Sequence, residues 1–350
     1  MRRILPLAVA IGLIPAPAHA VINGGPADQS ETGWFASYTV EGGRCGGTII
    51  DSRWILTAAH CAESVATFGT ATVRVNPKRF GKGTPVYTVD RVLIHPSFRP
   101  KADLPNDIAL LHVTKNLPKA RVVLNTNPST PIAGQRLLAY GFGMTGPKDL
   151  GSSRLMVAPM FDQAGPDGRC GTWRRSRFHS AEQICANDPV ERIDTCGGDS
   201  GGPLMQGSAL QVGIVSFGVG ICNGNPKKPG IYTRVSAYAD WIEQAKTAPQ
   251  ILVGSAACPL PDRMCQVTGG KSLRLRVRNA GQGVGTWQVD SVPAKIRVST
   301  TGGTLTAGRA TQLTVKAKPS AKGCTALTVS GTNLRPTTFR LYINGGTKGC

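Results

Sequence analysis

Apolar and polar positions alternate in short runs through most of this chain, and clusters of Gly, Pro, Asn and Asp separate the runs. Phe35 to Val40, Thr48 to Thr57, Ala71 to Val75, Val86 to Ile94, Ile108 to Val113, Gln135 to Tyr140, Leu210 to Phe217 and Gly230 to Val235 are rich in Val, Ile, Thr and Tyr. Period-two runs bounded by turn formers predict the strands of an all-β sandwich or barrel. Helical spacing enters between Ser236 and Lys246, where Tyr238, Trp241, Ile242 and Ala245 share one face and Ser236 is placed to cap the first turn. Residues 248–256 then read as a linker. Beyond it the β pattern returns in Leu273 to Arg278, Trp287 to Val289, Ile296 to Val298, Leu313 to Val315, Ala326 to Val329 and Phe339 to Ile343. Short strands between glycine-rich turns predict a second, smaller β-sandwich over residues 257–350.

The first residues break the pattern. Met1-Arg2-Arg3, an apolar run from Ile4 to Ile14, and Ala18-His19-Ala20 have the basic start, short apolar centre and small-residue exit of a secretory signal peptide, residues 1–20. The run is too short and too proline-interrupted for a membrane span, which needs about 20 apolar residues. Ten cysteines, all after Ala20, agree with an oxidising compartment, and no Cys-x-x-Cys pair suggests a metal site. No metal or cofactor is expected.

Charge changes the picture of the last hundred residues. Of the formal net charge of +20, residues 248–350 supply 14 Lys and Arg against 2 Asp, while residues 21–247 supply 24 against 18. Such a balance either keeps a surface soluble or docks it on anionic polymers. A single Trp and no recognition motif argue against specific nucleic-acid binding. The docking reading takes residues 257–350 as a face for anionic cell-surface polymers.

The candidate chemistry sits in Asp194-Thr195-Cys196-Gly197-Gly198-Asp199-Ser200-Gly201-Gly202-Pro203. Glycines around a serine let the backbone turn sharply and approach another molecule. A serine hydroxyl needs a base to take its proton. Thr57-Ala58-Ala59-His60-Cys61 offers one, and Asn106-Asp107-Ile108-Ala109-Leu110-Leu111 offers an acid to orient it. His, Asp, Ser is one of the known chain orders for that constellation.

From Val21 to about Lys246 these motifs resemble the trypsin/chymotrypsin family of serine proteases. The resemblance implies two six-stranded antiparallel barrels with a cleft between them, His60 and Asp107 coming from the first and Ser200 from the second. It makes Ser200 the nucleophile, His60 the base, Asp107 its orienter, and the N–H groups of Gly198 and Ser200 the oxyanion hole. Asp194 falls at the base of the primary pocket, where an acid selects Lys or Arg; an acid turned into a salt bridge is the alternative. Thr195, Ser216, Phe217, Gly218 and Gly230 fall on the pocket's walls. Val21 matches the N-terminus whose ammonium pairs with Asp199, so signal cleavage alone would produce the active form. The family pairs Cys45–Cys61, Cys170–Cys185 and Cys196–Cys222. The other four cysteines permit three connectivities; Cys258–Cys265 and Cys324–Cys350 join nearest neighbours. The expected activity is a secreted endopeptidase cleaving proteins or peptides after Lys or Arg. A pseudo-enzyme that only binds, and a protease of narrow regulatory specificity, are the competing readings. Residues 257–350, with a lone Trp and glycine-rich turns, are similar to bacterial Ig-like accessory domains.

Overall fold

The computed structural model describes residues 21–344 apart from 41–42, 69–70, 83–84, 101–102, 147–148, 165–169, 171–177, 219–221, 223, 256, 259–263 and 269–271. Residues 1–20, where a signal peptide is expected, and Cys350, the expected partner of Cys324, lie outside the described residues.

A short strand β1 (Gly25–Pro26) precedes the first barrel, formed by β2 (Phe35–Val40), β3 (Gly43–Asp51), β4 (Trp54–Thr57), β5 (Thr72–Val75), β6 (Val86–Ile94) and β7 (Ala109–Val113). The ring closes in the order β2-β3-β4-β7-β6-β5. Its interior is the apolar set the alternation selects, with Ile49, Ile55, Leu56, Leu110 and Leu111 fully buried. Helix α1 (Ala59–Phe68) leaves the end of β4 and caps the seam where the candidate base sits.

A crossover strand, β8 (Val123–Leu124), leads to β9 (Arg136–Gly141), β10 (Met156–Asp162), β11 (Gln183–Asn187), β12 (Pro203–Gln206), β13 (Leu210–Phe217) and β14 (Gly230–Arg234). Because β9 pairs with both β10 and β12, these six antiparallel strands also close on themselves. The fold is thus mostly β, with two closed six-stranded barrels. The chain between Ser236 and Lys246 departs in detail from its predicted form. A 3-10 turn (Val235–Tyr238) precedes helix α2 (Ala239–Thr247), and no side chain caps either. Ser236 is therefore not the N-cap; its hydroxyl is buried without a partner. The expected apolar face does pack, burying Tyr238, Ile242 and Ala245.

Beyond α2, the remaining strands are β15 (Ile251–Gly254), β16 (Met264–Val267), β17 (Ser272–Asn279), β18 (Val284–Val289), β19 (Ile296–Val298), β20 (Gly302–Thr306), β21 (Ala310–Ala317), β22 (Gly323–Gly331) and β23 (Leu334–Ile343). They form a four-stranded sheet, β15-β17-β21-β19, and a five-stranded sheet, β16-β23-β22-β18-β20. Leu273, Leu275, Val277, Leu313 and Val315 of the first sheet share a core with Trp287, Leu327, Val329, Phe339 and Leu341 of the second. The span expected as a linker, 248–256, needs correction. Ile251 is buried and its strand pairs with β17, because an apolar Ile-Leu-Val run gains more from joining a sheet edge than from solvent. The junction with the first barrel is hydrogen-bonded: Gln250 Nε2 donates to the Val92 carbonyl, and Arg278 Nη2 to the Asp90 carbonyl at 2.9 Å.

Cys45–Cys61, Cys170–Cys185, Cys196–Cys222 and Cys258–Cys265 are bridged as expected. Cys324 is also disulfide-bonded.

Candidate active site

Strand β4 ends at Thr57, and the chain turns through Ala58, fully buried, into the first turn of α1, which presents His60 at the barrel rim. Its bridge to Cys45 through Cys61 fixes that turn to β3. Asp107 lies immediately before β7, after Asn106, whose φ of 58° swings the chain back toward the barrel. The Asp107 carboxylate is buried and accepts three hydrogen bonds. His60 Nδ1 lies 2.8 Å from Oδ2, the His60 backbone N–H donates to Oδ1 at 2.9 Å, and Ser216 Oγ donates to Oδ2 at 2.5 Å. Thr233 Oγ1 donates to its carbonyl at 2.8 Å, so the second barrel grips the acid carried by the first. The Nδ1 contact to a carboxylate sets the proton on Nδ1 and leaves Nε2 as the acceptor. Burial disfavours the imidazolium, but the charge and hydrogen bond of Asp107 outweigh it and hold the His60 pKa above its ordinary value.

Ser200 reaches the same seam through its backbone. Its carbonyl accepts the Gly46 N–H at 2.8 Å, beside Cys45, and Gly201 N–H donates to Val215 at 2.9 Å. Gly201 has φ of 76°, and a Cβ there would lie 2.3 Å from Thr57 Oγ1 and 2.5 Å from the Gly46 carbonyl. Only glycine lets the serine turn press this closely on the base of the His60 turn. Gly198 has φ of 97° and packs on Gly143, where a Cβ would be 2.9 Å from Cα. Among the described residues the Ser200 hydroxyl forms no hydrogen bond to the imidazole, whose Nε2 lies 3.6 Å from Cys61 Sγ. Nucleophile–base contacts are commonly loose without substrate and tighten around it.

Below this seam Asp194 is buried, its Oδ1 accepting the Thr195 N–H at 2.8 Å. Desolvation pushes its pKa well above the ordinary carboxylate range, since the described residues give it no cationic partner. Gly230 stands over it, where a Cβ would lie 2.7 Å from Oδ1, and Gly218 faces Gly230 with its own Cβ position 4.0 Å from Gly230 Cα. Thr195 Oγ1 lies 3.0 Å from Tyr232 Oη. Phe217 packs partly on the Cys170, Cys185 and Ile231 cluster. The Ser216 hydroxyl is engaged by Asp107. Sequence spacing could place Ser216 near the pocket but not reveal that bond, which joins positions 109 residues apart.

Asp199 is fully buried, with Gly143 N–H donating to Oδ1 at 2.7 Å and Cys196 N–H to Oδ2 at 2.9 Å. Burial raises its pKa to about 7. Val21 is fully buried in the second-barrel core, and Ile22 N–H donates to the Asp194 carbonyl at 2.9 Å. His95 and His112 stand apart from this cluster. His95 packs on Tyr238 and Trp241 and is pushed by burial to about 4, and His112 bonds Asp90 at 2.5 Å.

The family model described as Trypsin matches residues 21–242. The chain belongs to the trypsin family. It is a serine endopeptidase, a hydrolase whose substrates are proteins or peptides. It is 36% identical over 221 residues to trypsin Tyr p 3.0101 of Tyrophagus putrescentiae, a match spanning 60% of this chain and 74% of that protein. It is 33% identical over 227 residues to the serine protease Hayan of Drosophila melanogaster, spanning 57% of this chain but 34% of that longer protein. Among solved structures, neuropsin, a serine protease expressed in the limbic system of mouse brain, superposes with a TM-score of 0.56 at 27% identity. That match covers 64% of this chain and 99% of neuropsin. The Vibrio cholerae VesB protease gives a TM-score of 0.59 at 21% identity and covers 92% of this chain and 99% of its own, a likeness of fold that extends past the barrels of this trypsin-family protease. No described helix is long and apolar enough to cross a membrane.

Proposed function

We propose that this protease is secreted and cleaves after Lys or Arg, with Ser200 as nucleophile, His60 as general base and then acid, and Asp107 holding the imidazole. In this reading Ser200 Oγ attacks the scissile carbonyl carbon while Nε2 takes its proton. The C–N bond breaks as the imidazolium returns that proton to the leaving amine, and water then cleaves the acyl-enzyme by the same relay. The N–H groups of Gly198 and Ser200 face the developing oxyanion, each such donor contributing about 10²–10³ in rate. The observation that carries the specificity is the buried Asp194, which has no cationic partner among the described residues and lies against Gly230, and which we read as the floor of a slot. An apolar substrate side chain would leave that acid unpaired at a cost of several kcal/mol, roughly, whereas an ammonium or guanidinium satisfies it. Thr195 and Phe217 complete the slot.

For activation, cleavage after Ala20 frees the Val21 ammonium to pair with Asp199. Val21 has φ of 65°, an outlying value for a β-branched residue that matters only while a peptide bond precedes it. Cutting that bond removes the constraint and supplies the missing counter-charge to a buried acid. Residues 257–350 serve as an Ig-like accessory sandwich that docks the enzyme on anionic cell-surface polymers.

The test is a cleavage-site profile of the secreted protein on a peptide library, with N-terminal sequencing and labelling by an organophosphorus reagent. Cleavage after Lys and Arg, a Val21 start and label on Ser200 are expected. An unlabelled protein would instead point to a binding-only relative.

A further inference from the structure

The excess charge of the C-terminal strands is gathered on one side of the sandwich. Along β17 the burial alternates so that Leu273, Leu275 and Val277 enter the core while Arg274 and Arg276 are exposed and Arg278 is half-exposed. Register then places Arg276 beside Gln312 and Arg274 beside Thr314 of β21; Thr314 is two positions from Lys316, which pairs with Arg297 of β19. Leu313 and Val315 point inward, so Gln312, Thr314, Lys316 and Arg297 share the outer face with the β17 arginines. On this sheet, alternate residues lie about 6.5–7 Å apart along a strand and neighbouring strands about 4.8 Å apart. Five cations therefore stand on one outer face with no acid among them. No described ion pair involves Arg274, Arg276, Arg297 or Lys316. The outer face of the five-stranded sheet is different: it presents Thr286, Thr328, Ser330 and Thr338, with Arg340 its one cation among the described side chains. Arg278 donates to the Asp90 carbonyl of the first barrel at 2.9 Å, and there the exposed Asp90 carboxylate, which contacts His112, interrupts the cationic run.

We propose that the outer face of the four-stranded sheet, centred on Arg274, Arg276, Arg297 and Lys316, binds an acidic polysaccharide laid across the strands. The proposal rests on the reading of residues 257–350 as a polymer-docking unit and adds which face docks and what it docks on. Arginine forks suit carboxylate or sulfate groups bidentately. Between them, Gln312 and Thr314 offer uncharged donors and acceptors to sugar hydroxyls. A nucleic-acid strand would want aromatic platforms for its bases, and this face carries none among its described residues. Among the described residues no helix or ribbon rises from this sheet to enter a groove.

The experiment uses the chain from Val21 with Ser200→Ala to stop autolysis, eluted by salt from immobilised polygalacturonate. A fourfold variant, Arg274→Gln, Arg276→Gln, Arg297→Gln and Lys316→Gln, is compared with a control of equal net charge, Lys119→Gln, Arg309→Gln, Lys322→Gln and Arg340→Gln. The expected result is a loss on the order of 100-fold at low salt for the face variant alone, with the slope of log K against log salt reduced by about 3. Thermal melts check that the variant folds, and Arg276→Gln with Arg297→Gln gives a milder version of the same comparison. Equal losses in the two variants would overturn the face assignment while leaving docking by total charge standing. No retention of the unsubstituted chain even at low salt would overturn both. Tighter binding to single-stranded DNA than to polygalacturonate of matched charge would overturn the polysaccharide assignment.

Discussion

Asp199 makes the state of the N-terminus readable as a pH dependence of stability. The perturbation is a short extension: a chain beginning at His19 keeps Val21 as a peptide unit, whereas one beginning at Val21 has an ammonium there. In the extended chain the Asp199 carboxyl is fully buried with backbone donors but no cation among the described residues, and its pKa is about 7 against 3.8 for the free group. Below about pH 4 the carboxyl is protonated in both folded and unfolded chains. Between that value and about 7 the folded chain keeps the proton that the unfolded chain releases, so stability falls as pH rises. The separation corresponds to on the order of 4 kcal/mol, a large share of a domain's stability. With Val21 free, the ammonium holds the carboxylate charged and the loss shrinks or vanishes. Urea unfolding followed by tryptophan fluorescence between about pH 4 and about pH 8, in Ser200→Ala chains, measures both slopes. The extended chain adds the His19 imidazole and moves the α-amino group, and a His19→Gln version of it removes the first difference; every other titrating side chain is common to the two chains and cancels in their difference. Asp199→Asn in the extended chain should flatten its slope. Identical slopes for the two chains, or a slope that survives Asp199→Asn, would refute the reasoning.

Asp194→Ser should lower kcat/KM on Lys and Arg substrates by roughly 10³-fold while organophosphorus labelling of Ser200 persists, because the slot loses its charge and the relay does not. Gly230→Val, measured on the same substrates, should abolish their cleavage, since its first carbon already falls 2.7 Å from Asp194 Oδ1; full activity would place the slot elsewhere. Ser216→Ala removes a hydrogen bond to a charged acid and should reduce kcat/KM about 10- to 100-fold, read by steady-state kinetics with the melting temperature as the control for folding. The acid limb of the kcat/KM–pH profile should lie above the ordinary imidazole value of 6.5, activity falling as pH drops through it and protonates Nε2. A limb well below that value would mean Asp107 does not hold His60 as the geometry has it.

Local pattern determined much of this protein. Alternating apolar runs announced strands, because a strand's two faces differ by one residue, and the glycines around Ser200 announced a tight approach, because any side chain would obstruct it. Motif and chain order singled out His60, Asp107 and Asp194 as candidates; three of the bridges followed from the resemblance and Cys258–Cys265 from its short spacing. What the sequence could not determine were the relations made by folding between distant positions. Which oxygen of Asp107 takes the Ser216 hydroxyl, and whether Ile251 is tether or strand, depend on surfaces that meet only when the sheets close. The arginines of β17 were visible as an alternating run, yet a run has no neighbours across strands. Register brought Lys316 and Arg297 beside them, and so turned a net charge into a charged face.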